Sequence, residues 1–311
     1  MATIKKLSVV SLGTVFIALG TTDAVQAAQF FGESKPLGDG FARSFVTLDD
    51  VSGQPLDLGV TLTQGVLPLP TDDTQPDIKF ELSLPPEASA TAFKQVEITY
   101  RPRNYSGVRT IFDVPRISTD FSLLTPQERD LICPNAPIID RLPTCEGEER
   151  AQVLKTPEPG TLPEGFEIGV VPEGRHGIRY FDPTAPLPVA EINGQPQLTS
   201  VYNYAIFDGN RLSFLDIVTS NAFLETEPNF TSPIKLPTVL SKSGYYPTEY
   251  SVTYNATSQE YNVTLSGLTY RSATTVPEPS FTLGVFAFSL FGVGSLLKRK
   301  QKQTPESSNL K

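Results

Sequence analysis

Three features of the sequence predict an all-β fold. Short stretches alternate apolar and polar residues with period two, turn residues punctuate them, and 28 prolines spread over 311 residues leave little room for long helices. The expected architecture is an antiparallel β-sandwich or barrel-like domain with long loops, followed by one C-terminal transmembrane helix.

Residues 44–49 (SFVTLD) and 55–63 (PLDLGVTLT) flank Gly53 and read as a hairpin with a short Ser-Gly turn. In 77–84 (DIKFELSL), Ile78, Phe80, Leu82 and Leu84 share one face while Lys79, Glu81 and Ser83 share the other. That is a half-buried strand, ended by Pro85-Pro86. Residues 95–100 follow the same rule, with Val96, Ile98 and Tyr100 opposed to Glu97 and Thr99. Strands resume at 200–207 (SVYNYAIF) and 211–219 (RLSFLDIVT), joined through Asp208-Gly209, a strong hairpin signal. A last hairpin pairs 250–255 with 261–268.

Residues 125–195 break the pattern: Pro and Gly recur and periodicity fades. A short helix is expected at TPQERD, with Thr125 as N-cap, Pro126 first and Glu128 third. The remainder reads as a long loop region. Its two cysteines, Cys133 and Cys145, form an isolated nearby pair best read as a disulfide. Closing such a loop stabilises by roughly 2–4 kcal/mol in the chain-entropy model. Two thiols and one distant histidine, His176, make a poor zinc site.

The termini carry targeting features. Lys5 and Lys6 precede an apolar stretch over 7–20, and Val25-Gln26-Ala27 supplies small residues, which together predict a signal peptide over 1–27, cut after Ala27 or one residue later. Near the other end stand Pro277-Glu278-Pro279, an uncharged run beginning at Phe281 and ending at Leu297, and the basic cluster Lys298-Arg299-Lys300. As a helix that run reaches about 26 Å, slightly short of a ~30 Å hydrocarbon layer, and the basic end belongs on the cytoplasmic side. The order of triplet, span and basic cluster resembles the PEP-CTERM sorting signal of bacterial envelope proteins. The resemblance covers about 26 residues, 277–302, and a polar tail over 303–311 departs from it. It implies an exosortase-type protease as partner, alongside signal peptidase. It also implies anchoring in the inner membrane before processing and delivery to the envelope or extracellular space.

The exported part, 28–276, suffices for one large domain or two small ones and is read as one β domain. Over 28–279 there are 18 Lys and Arg against 32 Asp and Glu, a surface that repels nucleic acid. Several stretches, among them 38–67, YNYAIFDGNRLSFLDIVTSNAFL (202–224) and GYYPTEYSVTY (244–254), resemble a family of exported bacterial β-proteins of unknown role typified by a Thermus protein. That family's pattern carries His-x-Asp-x-His where this chain has Arg116, Ser118 and Asp120, and a further histidine where this chain has Arg179. A guanidinium has no lone pair for a metal. The resemblance therefore implies a retained scaffold without those ligands, and no metal or cofactor is assigned. Arg116, Asp120 and Arg179 remain as a candidate ion pair or anion pocket.

No catalytic residue is assigned. His176, in EGRHGIRY, has no GxSxG partner and reads as a solvated or hydrogen-bonded loop residue. Arg101, Arg103 and Arg109 among tyrosines read as an edge strand protected by charge, with sugar or acidic-polymer binding as the alternative. The function expected is a non-enzymatic exported protein. A ligand- or polysaccharide-binding protein, or a divergent enzyme using the remodelled pocket, is the alternative.

Overall fold

The structure, a computed structural model, describes residues 27–69, 76–102, 114–139, 142–184 and 189–274. The signal peptide before Ala27, the Pro277-Glu278-Pro279 triplet, the span from Phe281 to Leu297 and the cluster at Lys298, Arg299 and Lys300 lie outside these residues. Among the described residues no helix is long and apolar enough to cross a membrane.

The chain is all-β. It opens with β1 (Ala27–Phe31), β2 (Lys35–Leu37), β3 (Gly40–Asp49), β4 (Pro55–Thr63), β5 (Ile78–Ser83), β6 (Gln95–Arg101) and β7 (Arg116–Ser122). There follow α1 (Pro126–Asp130), β8 (Ile138–Ile139), β9 (Leu142–Pro143), α2 (Gly147–Val153), β10 (Glu167–Glu173), β11 (Gly177–Phe181), β12 (Val189–Ile192) and β13 (Gln195–Leu198). The last part holds β14 (Ser200–Phe207), β15 (Arg211–Ser220), α3 (Asn221–Leu224), β16 (Asn229–Pro233), β17 (Gly244–Tyr246), β18 (Glu249–Asn255), β19 (Glu260–Ser266) and β20 (Thr269–Arg271).

Two seven-stranded antiparallel sheets result. One runs β1-β3-β4-β19-β18-β16 with β2 added on β3; the other runs β10-β11-β14-β15-β7-β6-β5. Period-two alternation supplies one apolar face from each sheet. Val46, Leu58 and Val263 of the first sheet join Leu82, Ile98 and Ile217 of the second in a single buried cluster. Each such side chain, fully buried, stabilises by roughly 1.5–3 kcal/mol.

The predicted hairpins form where local turn chemistry dictated them. Asp208 and Gly209 both adopt positive φ, at 55° and 75°, in the three-residue loop 208–210 between the paired Phe207 and Arg211. The Asp49 carboxylate accepts the N–H groups of Val51 and Ser52 at 3.1 and 2.6 Å and closes the β3–β4 turn. The TPQERD helix is α1. The Thr125 hydroxyl accepts the Glu128 N–H at 3.2 Å while the Glu128 carboxylate accepts the Thr125 N–H at 2.8 Å. The Cys133–Cys145 disulfide is present.

Region 125–195 corrects the loop expectation. It contributes the two strands β10 and β11 to the second sheet, besides α1 and α2. Pro172 and a register shift between Ile168 and Pro172 hide the alternation of β10. The disulfide loop is tied to the β10–β11 turn: the Cys145 N–H donates to the Pro172 carbonyl at 3.0 Å and the Arg175 N–H to the Ile132 carbonyl at 2.9 Å. The turn depends on Gly177, at φ +95°, whose added Cβ would sit 2.3 Å from the Ile206 carbonyl oxygen. Gly177→Ala is therefore expected to cost about 1–3 kcal/mol or more, read as a lower urea midpoint at unchanged slope.

Candidate functional site

The second sheet buries both faces near β6. Gln95–Arg101 is buried at every position, so the polar alternates Glu97, Thr99 and Arg101 are removed from water as fully as Val96 and Ile98 on the core face. Register then aligns acids across the sheet. Glu81 pairs with Glu97, Glu97 with Asp120, and Asp120 with Asp216, while Asn203 of β14 completes the row. Like charges placed directly opposite one another destabilise a sheet unless something neutralises them.

Cations from the covering segment and neighbouring strands do so. Arg129 of α1, 1% exposed, places Nη2 2.6 Å from Glu97 Oε2. Lys79 Nζ lies 2.9 Å from Glu97 Oε1. Arg179 of β11 forms an ion pair with Glu173 and stands 3.9 Å from Asp120 Oδ1 and 3.5 Å from Asp216 Oδ2. Arg101 lies 3.5 Å from Glu173 and 3.7 Å from Asp77. His176, on the β10–β11 turn, lies 3.0 Å through Nε2 from Glu97 Oε1, 3.1 Å from Arg129 Nη2 and 4.0 Å from Asp120 Oδ2. Its ring meets the Phe214 ring edge-on at 5.0 Å.

These charges set the titration of the acids. Burial pushes Glu97 upward, but His176, Lys79 and Arg129 together hold it well below the usual carboxylate range. Glu173 behaves alike: burial is outweighed by Arg179, His176 and Arg101. Asp120 goes the other way. Burial, then the adjacent Asp216, push it up to about 8 against the opposing pull of Arg179 and His176. Burial and neighbouring Arg101 lower Arg116 to about 10, so it stays charged at neutral pH.

Of the three residues singled out by sequence, Asp120 and Arg179 converge. Arg116 is buried on the same face of β7, close enough to Arg101, Asp216 and Arg179 to feel their charge. Sequence reasoning missed Glu97, Glu173, Asp216 and Arg129. One usable signal was an acid inside an apolar run, as at Asp216 in FLDIV. His176 sits on a turn as expected but is 1% exposed, enclosed by Arg129 of α1, Glu97 and the Phe214 ring. The edge-strand reading does not hold for Arg101: β6 is an interior strand and Arg101 is buried. Arg103 and Arg109 lie outside the described residues.

Two properties give the cluster chemical potential. Both carboxylate oxygens of Asp120 are buried without a hydrogen-bond partner among the described residues, as are Ser118 Oγ and Asp216 Oδ1. One donor atom from each of Glu97, Asp120 and His176 also lies within 4.8 Å of the other two, all buried, a grouping that suits a metal ion. A separate concavity of about 270 Å³ on the outer face of the first sheet is lined by Thr47, Asp57, Thr61, Asn255, Glu260 and Asn262, an open polar surface. No family model, curated protein or solved structure matches the chain.

Proposed function

We propose that the protein is a non-enzymatic, exported component of the cell envelope or extracellular matrix. Signal peptidase releases its N-terminal segment, and an exosortase-type protease recognises Pro277-Glu278-Pro279 while the span from Phe281 to Leu297 holds the chain in the inner membrane. The observation that carries this reading is the Cys133–Cys145 disulfide, with no free cysteine among the described residues. Such a bond persists in oxidising compartments outside the cytoplasm. Its place in the fold adds support, since it fastens the segment that supplies Arg129 and His176 to the acidic row. The expected N-terminal cut falls in the first two residues of β1 and leaves Gln29–Phe31 to pair with β3, while Pro277-Glu278-Pro279 follows the last strand, which ends at Arg271, in sequence.

Mass spectrometry of protein from its native envelope tests this. The mature chain is expected to begin at Ala28 or Gln29 and to lack residues 303–311. An intact C-terminal peptide ending at Lys311 would mean permanent anchoring instead of sorting. An untrimmed chain in the cytoplasm would overturn export altogether.

A second reading, a ligand-binding protein or divergent enzyme working near Arg116, Asp120 and Arg179, draws support from one observation. Asp120 is fully buried yet offers two oxygens with no hydrogen-bond partner among the described residues.

A further inference from the structure

We propose that Glu97, Asp120 and His176 form a binding site for one divalent first-row transition-metal ion, which replaces the Lys79 ammonium beside Glu97. This inference is independent of export and rests on the second reading above, narrowing the ligand of that pocket to a cation.

Geometry comes first. A metal about 2.0–2.2 Å from each donor holds neighbouring donors roughly 2.8–3.6 Å apart at octahedral or tetrahedral angles. His176 Nε2 lies 3.0 Å from Glu97 Oε1, a pair that fits as it stands, and 4.0 Å from Asp120 Oδ2, a pair that has to close by roughly half an ångström. The three donors lie within 4.8 Å of one another, so the Glu97–Asp120 pair has to close by about 1.2 Å at most, within reach of carboxylate side-chain rotation.

The surroundings match those of a metal ligand set. The other imidazole nitrogen, Nδ1, faces Glu173 Oε1 at 3.4 Å. Nδ1 makes no hydrogen bond at that distance, and a small closure would let it donate to this carboxylate and present the Nε2 lone pair to a metal. Glu173 is itself held by Arg179 and Arg101. Asp120 supplies an acceptor that the described protein groups leave unused. Two carboxylate oxygens and one imidazole suit Mn(II), Fe(II) or Zn(II), not a soft ion such as Cu(I). Arg116 and Arg179 take no part as ligands, which agrees with guanidinium chemistry.

Charge points the same way. The Lys79 side chain is one-third exposed on the edge strand β5, while the Glu97 carboxylate it neutralises is fully buried. It can therefore swing into solvent when an ion arrives at Oε1. Arg129 keeps Glu97 Oε2 at 2.6 Å and Glu81 at 3.5 Å, and releases only its contact with His176. Ligation also requires Asp120 as the anion. An incoming dication thus meets two buried carboxylates, Glu97 and Asp120, once the Lys79 ammonium leaves.

The test uses the full chain, stripped with chelator and titrated with MnCl2 or ZnCl2 alone by calorimetry, with metal content measured after dialysis. One ion per chain is expected. Asp120→Asn and His176→Gln should each weaken binding about 100-fold or more, whereas Lys79→Met should tighten it by about tenfold. Asn at position 120 keeps the shape of the neutral carboxyl, so lost binding there reports the lost ligand and not a lost fold; thermal unfolding of each variant checks this. Absence of stoichiometric binding to the wild-type chain overturns the metal site. Binding that survives both Asp120→Asn and His176→Gln unchanged overturns it as well. If the site fails, binding of inorganic phosphate to the wild-type chain that is lost in Arg116→Ala or Arg179→Ala would still support the broader pocket, so the two readings fail separately.

Discussion

Arg129→Ala is expected to destabilise the protein by about 3–5 kcal/mol, the cost of stranding a buried charge after its partner is removed. Arg129 is 1% exposed and Glu97 is fully buried, with Nη2 and Oε2 2.6 Å apart. The same guanidinium reaches Glu81 at 3.5 Å and donates through Nε to the Arg175 carbonyl at 3.5 Å. It therefore ties α1, the edge strand and the β10–β11 turn together. Lysine is not expected to rescue, because a single ammonium cannot make the forked contacts. The double variant Arg129→Met with Glu97→Gln should recover much of the loss, since both charges leave together. Urea unfolding at neutral pH measures all three. A cost below about 1 kcal/mol for Arg129→Ala, the range of exposed pairs, would show that the cluster does not hold the cover in place.

What the sequence disclosed follows from the range over which each signal acts. The Asp208-Gly209 turn, the Thr125 capping box and the strand alternations are local, and each formed where its residues implied. Alternation placed Glu97 and Thr99 opposite Val96 and Ile98, which is correct. It could not say that the polar face is also buried, because the cover comes from residues 125–181, where proline and glycine obscure β10 and β11. The acidic row is harder still. Glu81, Glu97, Asp120 and Asp216 become neighbours only through strand register, and register between distant strands leaves no mark at any one of them. Asp120 and Arg179 stood out for a different reason, a resemblance to another sequence pattern, and their partners lay outside the stretch that carried it.

In chelator-treated protein, Asp120→Asn is expected to change the pH dependence of stability more than any other single substitution in the cluster. Asp120 sits at about 8 in the folded state, raised by burial and by Asp216, against about 3.9 for an unfolded aspartate. A raised carboxyl binds its proton more tightly when folded. Its contribution is complete below pH ~4 and is lost as pH rises towards ~8, where the folded state has to ionise a buried group beside a second acid. Four units correspond to about 5 kcal/mol at most, and structural relaxation reduces this to a few. Glu97 and Glu173 act in the opposite sense. Both are held below the usual range, so their stabilisation is present above pH ~4.5 and is lost on acidification. Wild type and Asp120→Asn should therefore lose stability together in acid, coincide near pH 4–5, and diverge above it, the variant becoming the more stable by a few kcal/mol at pH 8–9. Parallel curves across pH 5–9 would mean that Asp120 is not a protonated buried acid, and that the cations around it already neutralise the whole row.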